Sequence, residues 1–218
     1  MKSGSAFDRQ SGAIYVADQA QHRIEVFGLD GNLLRMFGSF GSENGQFNAP
    51  AGIAIAEDRV YVVDSGNHRV QVFNRRDSHR GQLGSFGSGP GQLDHPKEIE
   101  VDGQGRAWVV DSGNHRVQVF GTRGGIRHLF AVGEHGSGRG QFNEPYRIAI
   151  DGSGNVYVAD SGNHRVQVFS STGDFRGALG SGQLNRPTGI AIANDLVYVA
   201  DRIGMKTFTI PIRISYQA

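Results

Sequence analysis

The chain has 218 residues, 22 Lys+Arg against 21 Asp+Glu, and a formal net charge of +1. With no cysteine, a disulfide framework and any Cys-based zinc site or nucleophile are excluded. Glycine, at 33 residues, is about twice its usual share of roughly 7%. It shows no three-residue period, which excludes collagen. No apolar run approaches the roughly 18 residues of a membrane span, and Met1-Lys2-Ser3-Gly4 does not open a signal peptide, so a cytoplasmic setting is favoured.

In chain order, the first recognisable block is Asp18–Phe27, DQAQHRIEVF. It returns as DSGNHRVQVF, without a single change, at Asp64–Phe73, Asp111–Phe120 and Asp160–Phe169, and in worn form at Asp201–Ile210. The aspartates are spaced by 46, 47, 49 and 41 residues. A second block alternates with the first: Gly45-Gln46-Phe47 then Pro50, Gly91-Gln92-Leu93 then Pro96, Gly140-Gln141-Phe142 then Pro145, Gly182-Gln183-Leu184 then Pro187. The chain therefore reads as one domain of five units, at approximately 1–46, 47–92, 93–141, 142–183 and 184–218.

Each unit reads as four strands. An apolar stretch after the Pro, such as Arg147–Ile150, is the first. The second is a continuous apolar run, Val60–Val63 or Val156–Ala159, buried on both faces. After a Ser-Gly-Asn turn, Arg-Val-Gln-Val-Phe alternates with period two as the third. A weaker fourth strand follows, at Leu34–Phe37 or Leu129–Val132. Helix-period patterns are broken everywhere by Gly or Pro. A four-stranded antiparallel sheet with two apolar faces must stack on its own copies, so the expected fold is an all-β propeller of four-stranded antiparallel blades.

The run Val158-Ala159-Asp160-Ser161-Gly162-Asn163-His164-Arg165-Val166, with Phe37-Gly38-Ser39, Gly45-Gln46-Phe47 and Pro50 upstream, resembles the NHL-repeat propeller family. The resemblance covers all five units and is specific in four. It implies a propeller that usually closes with six blades, whereas this chain supplies five. An incomplete ring would expose a sheet and favour self-association. The resemblance also implies precedents: interaction domains that bind protein or RNA, and, on similar propellers, lyase and lactonase sites with a metal in the central channel.

Within the motif, the acid ends one strand and a base opens the next five positions on. The expected structural pairs are Asp18 with Arg23, Asp64 with Arg69, Asp111 with Arg116 and Asp160 with Arg165, joined by Asp201 with Lys206. His22, His68, His115 and His164 are read as turn-packing groups. Sheets about 10 Å apart cannot bring such equivalents onto a metal that needs ligands at about 2.0–2.1 Å, so no metal and no cofactor are assigned.

Departures from the repeat carry the functional expectations. Lys97, Glu98, Glu100, Tyr146 and Arg147 collect charge on first strands, at one sector of the channel mouth. This is either a polar ligand corner, a metal-assisted acid/base site on Glu98 and Glu100, or a neutralising Glu98–Arg147 pair. Arg75, Arg76, Arg80, Arg123 and Arg127 fall in equivalent turns and are expected to form a basic patch for RNA or an acidic protein surface. No aromatics are interleaved there for base stacking. No catalytic residue is assigned. The leading expectation is a non-enzymatic scaffold binding a protein or RNA partner through its loop faces. The alternatives are a metal-dependent lyase or lactonase-type hydrolase in the channel, and a scaffold from repeat amplification or design. No membrane partner is expected.

Overall fold

The computed structural model describes residues 2–194, 196–201 and 207–211. Nineteen strands appear among these residues, and they pair only with their neighbours in sequence. The first sheet holds β1 (Lys2–Asp8), β2 (Ala13–Asp18), β3 (Arg23–Phe27) and β4 (Leu33–Phe37). The second holds β5 (Pro50–Ala56), β6 (Arg59–Asp64), β7 (Arg69–Asn74) and β8 (His79–Leu83). β9 (Pro96–Val101), β10 (Arg106–Asp111), β11 (Arg116–Gly121) and β12 (Arg127–Val132) form the third, and β13 (Pro145–Ile150), β14 (Val156–Asp160), β15 (Arg165–Phe169) and β16 (Phe175–Leu179) the fourth. The fifth contains β17 (Pro187–Ala193), β18 (Leu196–Asp201) and β19 (Thr207–Pro211). The only helical elements described are three single 3-10 turns, at Ser65–Asn67, Ser112–Asn114 and Ser161–Asn163. These are the Ser-Gly-Asn turns of the motif. The architecture is the expected all-β blade repeat. Each first strand after the opening one begins on a Pro, where no ladder donor is required.

By internal contacts, residues 1–113 and 118–130 form one compact unit, and residues 114–117 and 131–218 a second. Within the first, the faces of neighbouring sheets share cores. Tyr15, Ile24 and Val26 meet Ile53, Val60, Val62 and Phe73 in one. Tyr61, Val70, Val72 and Leu83 meet Ile99, Ala107, Val109 and Phe120 in the next. In the second unit Tyr157, Val166 and Val168 meet Leu184, Val197 and Val199. In each of these three cores the apolar face of one blade is satisfied by the next sheet, as stacked repeats require.

The third strands β7, β11 and β15 are buried at nearly every position. The Gln of each is fully buried because it bonds to a loop rather than to solvent, as described below.

The interblade loop of each unit inserts one side chain beneath a glycine. Phe47 lies below Gly38, Leu93 below Gly84, Phe142 below Gly133 and Leu184 below Gly180. All four glycines have φ between +71° and +92°, and a Cβ on any of them would fall 2.3–2.5 Å from the inserted side chain. The positive φ and the close approach both demand glycine. Gly84→Ala should therefore cost at least about 1–3 kcal/mol by overpacking and backbone strain, read as a lower denaturant midpoint. An unchanged midpoint would show that Leu93 moves away freely.

Candidate functional site

The most densely bonded groups are the motif aspartates, and their work is structural. Asp64, with no exposed surface, accepts from the Asn48 amide at 2.7 Å, Asn67 Nδ2 at 2.9 Å, Arg69 Nε at 2.9 Å and Gln71 Nε2 at 3.2 Å. Arg69 continues to the carbonyls of Glu43 and Gln46, while Gln71 bonds the Gln46 carbonyl at 2.6 Å and takes the Gly45 amide at 2.9 Å. The carboxylate thus joins the second strand, the third strand and the loop leading into the blade. Asp160 repeats the arrangement with the Asn143 amide, Asn163, Arg165 and Gln167. Asp111 takes the Asp94 amide at 2.6 Å and Gln118 Nε2 at 3.1 Å. It belongs to the first compact unit, whereas Arg116 belongs to the second. Asp201 takes the Asn185 amide at 2.7 Å; its expected partner, Lys206, lies outside the described residues.

The pair Asp18–Arg23 does not form. Arg23 turns instead to Glu25 at 2.6 Å, and Asp18 caps its own turn through the amides of Ala20 and Gln21. The cause is one residue: Glu25 stands where the next three units carry Gln, and its carboxylate captures the guanidinium from two positions away.

The motif histidines behave as turn-packing groups. His22, His68, His115 and His164 all adopt φ of 53–56°. Each Nδ1 accepts a backbone amide from the following interblade loop, from Ala49, His95, Glu144 and Arg186 at 3.0–3.2 Å. Two of the rings carry a phenylalanine edge-on, His22 with Phe40 at 4.8 Å and His68 with Phe86 at 4.6 Å between centroids. Both phenylalanines are 67% exposed. They were not singled out as site residues from sequence, where only their shared position before the Gly-Gln block could have marked them.

Of the charged first-strand residues, Lys97, Glu98 and Glu100 lie on β9 in the first unit, and Tyr146 and Arg147 on β13 in the second. The β9–β10 register shifts between the Ile99 and Pro96 pairings, so strict alternation fails at Lys97 and Glu98. Glu98 Oε1 curls back toward the Ile99 amide at 3.2 Å, and its Cα and carboxylate crowd Gly52 of β5, where a Cβ would sit 2.7 Å from the Glu98 Cα. Burial lowers the pKa of Lys97. The Arg147 guanidinium stacks over the Tyr146 ring at 5.6 Å, and desolvation lowers its pKa too. Glu100 keeps a little accessible surface, yet protein crowds its carboxyl closely enough to push its pKa up to about 7. A carboxyl poised near neutrality is what an acid/base group would need.

The basic turns are only partly free. Arg75 pairs with Asp8 and bonds the Glu57 carbonyl, and Arg123 grips Glu57 through Nε and Nη2 at 3.0 and 2.7 Å. Arg127 Nη1 reaches the Arg123 carbonyl at 3.4 Å. Arg76 and Arg80 are exposed. Arg80 also borders a cavity of about 430 Å³ lined by Asp58, Arg59, Val72, Asn74, Gly125 and Ile126.

Three segments of the chain, residues 47–73, 93–120 and 142–169, match the NHL repeat model. A search of curated proteins by sequence finds no match. Among solved structures, the chain is similar to a catalytically inactive virginiamycin B lyase from Staphylococcus aureus with quinupristin, at 15% identity and a TM-score of 0.73, covering 97% of this chain and 67% of that one. A streptogramin B lyase structure gives 13%, 0.75, 97% and 65%. A structure of a nidogen/laminin complex gives 20%, 0.70, 92% and 72%. At these identities the likeness shows the propeller fold, and this chain spans about two thirds of the length of the lyases.

Two expectations follow. Removing a buried partner of a charge costs about 3–5 kcal/mol, so Asp64→Asn should lower unfolding free energy by that order, while Asp18→Asn, which holds no arginine, should cost about 1 kcal/mol. Equal losses in denaturant titrations would contradict the networks. For Glu100, a folded pKa above the unfolded value of about 4.5 means that its stabilising contribution is complete in acid and is lost as pH rises through about 7. Relative to Glu100→Gln, the native chain should lose about 3 kcal/mol between pH 4 and pH 8. A constant difference across that range would place the carboxyl in water.

Proposed function

We propose that this NHL-repeat β-propeller is a binding scaffold for a protein partner, engaged through the loop face that carries Phe40 and Phe86. The observation that supports it is a pair of two-thirds-exposed aromatic rings held at equivalent positions. Each ring packs in a T-shaped pair with a motif histidine, and its backbone is tied by an isolated bridge, Phe40 to Phe47 and Phe86 to Leu93. A ring already held still loses little entropy on docking, which is how aromatic anchors dominate protein interfaces. The nidogen/laminin complex is a precedent for protein binding by a similar fold, and only by analogy.

The basic turns are the less favoured surface for a protein or RNA, since Asp8 and Glu57 already occupy Arg75 and Arg123. A second reading, an enzyme with its acid/base group on β9, is favoured by the near-neutral pKa of Glu100 alone. The test is affinity capture with quantitative mass spectrometry. The native chain should enrich a defined protein, and Phe40→Ser with Phe86→Ser should reduce its binding by more than about tenfold. Retention of that partner by the phenylalanine variant, with loss on replacing Arg76 and Arg80 by Ser, would move the interface to the basic turns and overturn the proposal.

A further inference from the structure

We infer that His68, Asp94 and His95 form a binding site for a divalent transition-metal ion such as Zn²⁺, on the loop joining the second blade to the third. All three residues lie in the first compact unit. Asp94 Oδ1 stands 3.1 Å from His68 Nδ1 and 2.7 Å from His95 Nδ1, and the donor atoms of the three lie within 4.8 Å of one another. Ligands about 2.0–2.2 Å from one zinc sit roughly 2.8–3.6 Å apart, so the triad needs only a small adjustment to close on an ion. Two imidazoles with one carboxylate suit zinc, cobalt or nickel rather than calcium or magnesium.

The repeat itself shows how unusual this corner is. At the two positions before the first-strand Pro the other loops carry Asn48-Ala49, Asn143-Glu144 and Asn185-Arg186; here alone they read Asp94-His95. The shared geometry is kept, since Asp94 packs on Gly113 as Asn48 packs on Gly66 and Asn143 on Gly162. The backbone is pinned as well, by the Asp94 amide on Asp111 at 2.6 Å. What changes is chemistry: a carboxylate replaces an amide, and a second imidazole faces the one every unit has, with ring centroids 4.5 Å apart.

The three lone pairs also compete for protons in a way an ion resolves. His68 Nδ1 has the His95 amide as a donor at 3.1 Å and the Asp94 carboxylate at the same distance on another side. A neutral imidazole can satisfy one of these, never both. A cation bound by Asp94 Oδ1, His95 Nδ1 and His68 Nδ1 gives every lone pair a partner. The proton that joins His95 to Asp94 moves from Nδ1 to Nε2 of the same neutral ring, and one amide contact is given up. His95, with 59% of its side chain exposed, leaves the outer coordination position open to water or to a ligand from a partner.

The experiment titrates Zn²⁺ into chelator-treated full-length protein against a competing chromophoric chelator. The native chain should bind one equivalent, and Asp94→Asn and His95→Ala should each weaken it about 10–100-fold. Both substitutions install what sibling loops already carry, so the fold is retained, as metal-free circular dichroism should verify. His135→Ala, which removes the partner of a second ring pair lacking the third ligand, should change nothing. An independent arm needs no variant: Zn²⁺ should shift the imidazole ¹⁵N signals of His68 and His95 and leave those of His22 and His164 in place. Equal affinity in the Asp94 and His95 variants, or shifts spread evenly over all histidines, would overturn the site and indicate adventitious binding to exposed imidazoles.

Discussion

The structure depends on the buried carboxylates that end the second strands β6, β10, β14 and β18, each holding a loop amide. The loop that enters a blade is glycine-rich and polar, and single backbone bonds and isolated bridges rather than a ladder tie it down. The aspartate supplies the missing bonds. Asp64 and Asp160 each gather a loop amide, an asparagine, an arginine and a glutamine, and the last two reach onward to loop carbonyls. A charge buried with this many donors is stabilised where an unpaired one would be costly. The result is a fixed corner on which the interblade loop, and whatever it displays, is held in place.

That corner explains why the same region serves as the candidate surface. The histidine after each Ser-Gly-Asn turn sits in the left-handed region and uses its Nδ1 to hold the next loop's amide. Phe40 and Phe86 lean on two of these rings, and His95 and Asp94 face one of them. The scaffold repeats, so a change of one or two side chains in a loop creates a local property without altering the frame. The proposed recognition surface and ion site both rest on side chains that these loops carry.

The architecture was legible because its signals are periodic: spacing, Pro and Gly punctuation, and the doubly apolar second strand. Single side chains were not. Period-two alternation in Arg-Val-Gln-Val-Phe says nothing of where the glutamine bonds, and Gln71 is buried because the loop offers it a carbonyl and an amide, partners remote in sequence. The position five on from the acid pairs Arg23 with Asp18 on paper, but Glu25, two residues further along, takes the guanidinium. Arg75 and Arg123 looked free because Asp8 and Glu57, which pair with them, lie more than sixty residues away. His95 was visible all along as an odd residue before Pro96; only the fold places it against His68.

The most direct measurement is amide hydrogen exchange at the loop residues whose N–H groups the aspartates hold, Asn48, Asp94 and Asn143. The account predicts that these amides are protected as strongly as the strands. It further predicts that Asp64→Asn accelerates Asn48 by more than about tenfold beyond its effect on Asn143, a loss of one charged hydrogen bond. Exchange of all three at the rate of open loops in the native chain, or acceleration spread equally by the substitution, would contradict it.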